Sequence, residues 1–326
     1  MPTTRPIPVA LIGLGGVGKA ILSQLLSPPL SSKFTLVLIA NSRQSLSLPL
    51  PASPLTPTNY APILEQHGQP LDLSSVISVL SGHPDAPGIF IDSTGSETIP
   101  AMYAQILKMG INIVTPNKKA TSSSDELYQS IVGASWPNGG LMYGESTVGA
   151  GLPILSTLKD LVETGDEIEK IEGVFSGTLS YIFNEFSKVE GGDVKFSEVV
   201  KIAKDKGYTV SPSHAFGYYW ARADQQEPDP RDDLSGTDVA RKLTILSRLV
   251  PTSPTLPEGY ASVPTQSLVP DVLSNAQTKE EYLERLAEGD DYFNKLREEA
   301  RKEGKVVRYV GVVDVKAGKV EAKLGK

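Results

Sequence analysis

An acid and a base, Asp238 and Lys242, stand inside what should be the apolar stripe of a helix. Counting 100° per residue from Val239, the apolar residues Leu243, Ile245, Leu246, Leu249 and Val250 fall at about 40°, 240°, 340°, 280° and 20°. Asp238 and Lys242 fall within that arc, at about 260° and 300° on the same count. Arg241, Thr244 and Arg248 take the opposite side, which the pattern assigns to solvent. A surface i,i+4 ion pair is the plain alternative. Burial of two charges costs several kcal/mol per ion unless they are well partnered, so a pair in this position points to a site rather than to a decorated surface. A lysine held out of water is a candidate general acid or base, and Lys242 is the first such candidate.

A second cluster lies near the start. The run VALIGLGGVGKA sets Gly13, Gly15 and Gly18 in the spacing of a dinucleotide fingerprint, with Gly16 and Val17 inside the turn. Such glycines serve a tight turn, a close approach of backbone to pyrophosphate, and a close packing of helix on sheet. The motif is weak alone, but here an apolar strand precedes it and a helix over Val17–Leu26 follows it. An acid normally grips the ribose at the end of the second strand. Asn41, Ser42 and Arg43 stand there instead. An arginine in that place accepts a 2′-phosphate, which makes NADP at least tolerated; an ordinary loop arginine is the alternative. Farther on, IDSTGSE and INIVTPNKKA end two more strands of the same sheet. Ser93, Thr94, Asn117 and Lys118 are therefore expected beyond the strand ends, near the nicotinamide.

These residues need a scaffold of alternating strands and helices, and the first half of the chain has that pattern. Strands are expected at Ile7–Ile12, Thr35–Ala40, Gly88–Asp92, Ile111–Val114 and Leu141–Tyr143, in a Rossmann-type parallel α/β sheet. The Ser/Pro/Leu-rich stretch Ser42–Thr58 reads as a surface loop. After Gly151 the segments lengthen. Helical patterns cover Leu152–Glu163, Thr178–Ser187, Phe196–Lys206, Asp233–Val250 and Lys279–Glu303, with strands near Ile168–Phe175 and Val306–Val315. This reads as two domains, a dinucleotide-binding domain over 1–147 and an α+β substrate and dimerisation domain over 148–326.

Composition narrows the function classes. Acidic residues outnumber basic ones, 38 to 31, for a net charge of −7, so the chain lacks the basic stripe that nucleic acid needs. Cysteine is absent, which removes disulfides, thiolate metal sites and thiol nucleophiles. His67, His83 and His214 show no metal-ligand spacing. The opening MPTTRPIP has no signal-peptide pattern and no run is long enough to span a bilayer. The expectation is a soluble cytoplasmic protein with a small-molecule substrate, and with no membrane or nucleic-acid partner.

The runs IVTPNKKA, ESTVGAGLPIL, TGDEIEKIEGVFSGTLSYIFNEF and EPDPRDDLSGTDVARK resemble homoserine dehydrogenases, in particular the short fungal type without a fused kinase. The likeness runs from about Pro8 to about Val320. It implies NAD(P)-dependent interconversion of L-homoserine and L-aspartate 4-semialdehyde, in threonine and methionine biosynthesis. It also implies Lys118 and Lys242 as catalytic lysines, and Thr178, Glu227, Asp233 and Asp238 as substrate-site residues. A sodium ion held by backbone carbonyls of Glu145, Val148, Ala150 and Leu152, and a homodimer, belong to the same resemblance. The residues agree with this chemistry. Lys242 can take the proton of the alcohol while hydride leaves its carbon, and Lys118 can stabilise the developing oxyanion. Glu227, supported by Asp233, can pair with the substrate ammonium. Gly177 and Thr178, opening a helix, can receive its carboxylate. The acylating aspartate semialdehyde dehydrogenases need a cysteine, which is absent. A methyltransferase reading of the glycine turn leaves Lys118, Asp238 and Lys242 without roles.

Two departures from the family pattern stand out. Residues 210–226, with Phe216, Tyr218, Tyr219 and Trp220, intervene between GYT and EPDPRDD. Their ends are compatible with splice donor, branch and acceptor signals, so a retained intron and a lineage-specific loop are both open. The family pattern also continues past Lys326 with a further strand, a glycine-rich turn and a helix returning to the first domain. These departures raise an alternative, a catalytically impaired nucleotide-binding variant that acts only by pairing with intact subunits.

Overall fold

The run IPVALI is apolar without alternation, the mark of a strand covered on both faces, and it forms β1 (Ile7–Ile12), buried from Pro8 onward. The computed structural model describes residues 6–50, 54–82, 87–206 and 229–326. Glu227 and the 210–226 insertion lie outside these residues. After β1 come α1 (Gly16–Leu25), β2 (Phe34–Ala40), β3 (Gln44–Ser47), α2 (Tyr60–His67), β4 (Gln69–Pro70), α3 (Leu73–Ser81) and β5 (Ile89–Asp92). Then follow α4 (Tyr103–Lys108), β6 (Asn112–Val114), α5 (Lys119–Ser122), α6 (Asp125–Ala134) and β7 (Met142–Tyr143).

Among the described residues these strands form one sheet in the order β4-β3-β2-β1-β5-β6-β7. From β2 through β7 the neighbours are parallel. The chain leaves β1 toward β2 and later returns to its other side as β5, so the topological switch point lies at the carboxyl ends of β1 and β5, where open parallel sheets bind ligands. Ala10, Ile12, Phe90 and Ile113 pack on one face with Val76, Tyr103 and Ile106. Val9, Leu11, Ile39 and Ile91 pack on the other with Leu22 and Leu64. The expected α/β sheet is thus present, and its strands lie where the apolar runs put them.

The stretch Ser42–Thr58 is not all loop, as its composition suggests. Residues Gln44–Ser47 form β3, antiparallel to β2, with Leu46 buried. The hairpin is held by backbone pairing and by the Asn41 side chain rather than by an apolar run. That is why composition does not reveal it.

The second part contains α7 (Ile154–Glu163), β8 (Lys170–Gly173), α8 (Gly177–Phe186), α9 (Phe196–Asp205), α10 (Pro230–Leu234) and α11 (Thr237–Arg248). It ends with α12 (Lys279–Arg285), α13 (Asp290–Lys302), β9 (Arg308–Asp314) and β10 (Lys319–Gly325). The three strands form an antiparallel sheet, β10-β9-β8. One of its faces sends Tyr309, Val313, Val320 and Ala322 into a core with Leu179, Phe183, Leu234, Val239 and Leu243. Phe183, Phe186, Phe196 and Phe293 form an aromatic cluster, with Phe196 and Phe293 stacked at 3.7 Å. The helical pattern Asp233–Val250 is broken in two at Gly236, whose φ of 75° is left-handed. The pattern Lys279–Glu303 is likewise broken, by a 3-10 turn over Leu286–Gly289.

Contacts divide the chain into two units. One comprises Met1–Thr121 and Asp125–Leu152; the other comprises Ser122–Ser124 and Pro153–Lys326.

Candidate functional site

In the first unit, β1 ends in the glycine turn. Gly13 has a φ of +92°, and a Cβ on it would lie 2.7 Å from Thr94 Cγ2. Its N–H donates to the Ala40 carbonyl at 2.8 Å, tying the turn to β2. A Cβ on Gly18 would lie 1.8 Å from the Gly13 carbonyl oxygen, so this glycine lets α1 pack on the turn. Gly15 differs: no atom lies within 4 Å of its Cβ position. It is the N-cap of α1, with Gly16 and Val17 opening the helix and no side-chain cap on the exposed N–H groups. The turn therefore fits a phosphate-bearing coenzyme, with open space on the side that pyrophosphate needs.

Asn41, Ser42 and Arg43 form the β2–β3 hairpin turn. Asn41 Oδ1 accepts from the backbone N–H of Arg43 and of Gln44, each at 2.8 Å, which shapes the turn. Ser42 and Arg43 are exposed. Arg43 thus follows the carboxyl end of β2 as an exposed turn residue.

Ser93 and Thr94 follow β5 at the switch point, but their hydroxyls work inside the protein. Ser93 Oγ donates to the Gly13 carbonyl at 2.6 Å. Thr94 Oγ1 donates to Asp92 Oδ1 at 2.7 Å. Lys118 is half-buried and follows the buried Asn117 in the turn between β6 and α5. Its neighbour Lys119 donates to the Gly95 carbonyl at 2.8 Å and pairs with Glu97 at 3.0 Å.

In the second unit, α11 carries the acid and base. Lys242 Nζ lies 2.6 Å from Asp238 Oδ2 and donates to the Phe175 carbonyl at 2.7 Å. The side chains are 15% and 33% exposed, so this is not a surface pair. Gly311 in β9 makes room for the arrangement: a Cβ there would meet the Phe175 ring at 2.7 Å and Leu243 Cδ2 at 2.9 Å. The sequence pattern gives the other side of this helix to solvent, and there it fails. Thr244 is fully buried, its hydroxyl satisfied by the Ala240 carbonyl one turn back at 2.9 Å. Arg241 stacks on Tyr260 at 3.7 Å and donates to Ser122 Oγ, and Arg248 donates to the Ser123 carbonyl. Those residues bury the polar side without making it apolar.

Asp233, in α10, is buried. The Asp229 side chain caps α10 by accepting the Arg231 N–H at 2.9 Å, and Arg231 also donates to the Ala276 carbonyl and packs against Tyr282. Burial raises the Asp229 carboxyl, but hydrogen bonds from Arg231 outweigh this and hold it below the usual range. Partial desolvation of the largely exposed Asp232, with the nearby Asp229 charge, pushes its carboxyl above that range. Ser176 is the N-cap of α8 and accepts from the Leu179 N–H. Gly177 and Thr178 are the first two residues of that helix, Gly177 exposed and Thr178 buried.

The remaining expected residues lie in the segment from Gly144 to Leu152. Glu145 opens a 3-10 turn, Val148 is buried, and Leu152 is exposed. Gly149 and Ala150 take successive left-handed conformations, with φ of 82° and 53°. For Ala150 this is a strained backbone. Among the described residues no group of three or more His, Cys, Asp or Glu side chains could hold a metal ion. None of the helices formed by the described residues is long and apolar enough to cross a membrane.

Three features escape sequence reading: the Phe175 carbonyl that receives Lys242, the Arg241–Tyr260 stack, and a buried network around Asp92. Each joins segments distant in the chain, and only the acid at a strand end gives any local sign.

The model of the homoserine dehydrogenase NAD-binding domain matches residues 13–144, and the homoserine dehydrogenase model matches 153–214 and 220–325. The short unmatched gap falls within the 210–226 insertion. The homoserine dehydrogenase of Saccharomyces cerevisiae is 43% identical over 99% of this chain and 84% of its own length. That of Schizosaccharomyces pombe is 43% identical over 94% and 78%. A Candida auris protein of unknown function has a similar structure, with a TM-score of 0.83 and 41% identity, over 99% of this chain and 84% of that one. A hyperthermophilic archaeal homoserine dehydrogenase in complex with NADPH, 17% identical with a TM-score of 0.64 over 98% of this chain and 82% of that one, shares the fold. With an NAD(P)-binding first unit, a matching second unit and fungal relatives at this identity along nearly its whole length, the chain belongs to the homoserine dehydrogenase family.

Proposed function

We propose that the chain interconverts L-homoserine and L-aspartate 4-semialdehyde, with Lys242 moving the proton and Lys118 steadying the oxygen that bears it. The observation that carries the reading is the Lys242 amine, held between the Asp238 carboxylate and the Phe175 carbonyl. In the oxidising direction, Lys242 in its neutral form takes the hydroxyl proton of homoserine. The two acceptors then hold the ammonium that results. In the reducing direction the same ammonium is the acid that protonates the aldehyde oxygen. Lys118 supplies positive charge to that oxygen while it carries negative charge.

Asp233 and Asp238, with Glu227, give the second unit anionic character to pair with the substrate ammonium. Gly177 and Thr178, at the start of α8, supply backbone N–H groups and a hydroxyl for the substrate carboxylate.

The first unit binds the coenzyme through Gly13, Gly15, Gly16, Val17 and Gly18, with Asn41, Ser42 and Arg43 at the ribose and Ser93 and Thr94 at the nicotinamide side. The nicotinamide, when bound, accepts hydride from the alcohol carbon or returns it to the aldehyde. Arg43 favours NADP over NAD in this reading. A sodium ion held by the carbonyls of Glu145, Val148, Ala150 and Leu152 belongs to it too. Hard oxygen donors suit such an ion, and strain of the Ala150 kind is common at ligand-holding loops. A homodimer in the cytoplasm completes the proposal.

The test is reduction of each coenzyme by L-homoserine, followed at the nicotinamide absorbance. No homoserine-dependent reduction with either coenzyme rejects the reading. Replacing sodium with a bulky organic cation tests the ion, light scattering the dimer, and cell fractionation the location.

A further inference from the structure

Asp92 closes β5 and has no exposed surface. Both its carboxylate oxygens are doubly engaged. Oδ1 accepts from the Thr94 N–H at 2.8 Å and the Thr94 hydroxyl at 2.7 Å. Oδ2 accepts from the Tyr103 hydroxyl at 2.6 Å and the Asn117 side-chain amide at 3.1 Å. Its backbone carbonyl accepts from the Thr115 hydroxyl at 2.8 Å. An ionised carboxylate is acceptor-only and has about four lone-pair sites, so it suits four donors; an asparagine there would turn an NH₂ toward one pair of them.

The donors come from three segments. Thr94 lies in the turn after β5, Tyr103 opens α4, and Thr115 and Asn117 lie in the turn after β6. Asn117 then passes the constraint along the chain. Its side-chain amide also donates to the Ser96 carbonyl at 2.9 Å, and its Oδ1 accepts the Lys119 N–H at 3.1 Å. Lys118 therefore sits between two residues whose positions are fixed from Asp92. Tyr103 is fully buried, and burial together with the Asp92 charge pushes its phenol up, so it stays a donor at every pH of interest.

We propose that Asp92 and Tyr103 are positioning residues that fix the Lys118 turn against the Thr94 turn through Asn117. The inference rests on the role given to Lys118 above. A misplacement of about 1 Å at a reacting group costs on the order of 100-fold in rate. Tyr103→Phe, which keeps the ring packing and removes one donor, is expected to lower kcat by about 10-fold to 100-fold. Thr94 packs on Gly13, but the rest of the glycine turn and Arg43 make none of the network's hydrogen bonds, and Tyr103→Phe leaves both Thr94 bonds to Asp92 in place, so the Kd for NADPH should move less than kcat.

The test has two arms. In the coenzyme-free protein, the rate of amine acylation at Lys118 is read by mass spectrometry, with exposed Lys33 and Lys108 as controls. Tyr103→Phe should change the rate at Lys118 and leave the controls unchanged; an unchanged rate at Lys118 overturns the proposal. In the second arm, Tyr103→Phe is combined with Lys118→Ala. It should cost nothing further in turnover, whereas a full additional loss means that the network acts elsewhere and also overturns it. Asn117→Ser, expected to behave alike in both arms, replaces Tyr103→Phe if that variant does not fold. Lys118→Ala turning over at the wild-type rate is a separate outcome: it removes the role of Lys118 itself, and this inference with it.

Discussion

Gly18 and Gly13 approach so closely that a Cβ on the first would lie 1.8 Å from the carbonyl oxygen of the second. Gly15, between them in the chain, faces open space. The two positions should therefore respond oppositely to alanine. Gly18→Ala forces α1 off the turn and should destabilise the protein by about 1–3 kcal/mol, the usual cost of overpacking. Gly15→Ala should leave the melting temperature unchanged and weaken coenzyme binding. Thermal unfolding and NADPH titration of both variants check this; a normal Kd for Gly15→Ala removes the phosphate from that side of the turn.

Lys242 should be the side chain whose loss costs most in turnover. Lys242→Ala is expected to lower kcat by about 10²–10⁴-fold, the range for a general acid–base group. Lys242→Arg should not restore it, because a guanidinium does not give up its proton at working pH. Steady-state homoserine oxidation measures both, and an active arginine variant would exclude proton transfer at this position.

Arg43 should separate the two coenzymes. Hydrogen bonds to charged groups are worth about 1.5–3 kcal/mol, with exposure favouring the lower end. Arg43→Ala should raise the KM for NADP by about 10-fold, since about 1.4 kcal/mol is tenfold in affinity. The KM for NAD should change little. Equal effects on both coenzymes would take the 2′-phosphate away from this side chain.

Asp229 and Asp232 should contribute to stability with opposite signs. The folded state lowers the Asp229 carboxyl, despite its burial, through Arg231, so its contribution is present at neutral pH and fades as pH falls through the folded value. Partial desolvation of the largely exposed Asp232, with the Asp229 charge beside it, raises its carboxyl, so its charged form costs some stability at neutral pH, and the cost disappears when it is protonated in acid. Asp229→Asn should destabilise the protein at pH 7 and much less in acid. Asp232→Asn should stabilise it at pH 7 and not in acid. Denaturant unfolding at the two pH values reads both, and shifts of the same sign would contradict the arrangement.

Much of the first unit is legible in the sequence because its strands are apolar runs bounded by glycine and proline; β1 lies at Ile7–Ile12, as the residues alone indicate. The hairpin strand β3 is not legible, because four residues paired through their backbone leave no hydrophobic pattern. β10 is missed for a related reason. Its inward residues Val320, Ala322 and Leu324 alternate with charged ones, so the segment holds no apolar run to stand out. On α11 the acid and base are legible as intruders in an apolar arc. The fate of Thr244 is not, since a threonine that bonds its own helix can be buried at little cost. Of the Asp92 network only the acid at the strand end leaves a local sign. Its donors come from two turns and the start of α4, which only the folded sheet brings together.

Gly236 separates α10 from α11, and the space beside its Cα is taken: a methyl group there would lie 2.2 Å from the Tyr309 hydroxyl. Had one helix run through, Asp233 and Asp238 would project about 140° apart around a common axis. The joint decouples their azimuths, so the short acid-bearing helix has an orientation of its own. A saturation library at this codon should yield a single surviving residue, and any retuning of the acids against Lys242 must come from the flanking positions.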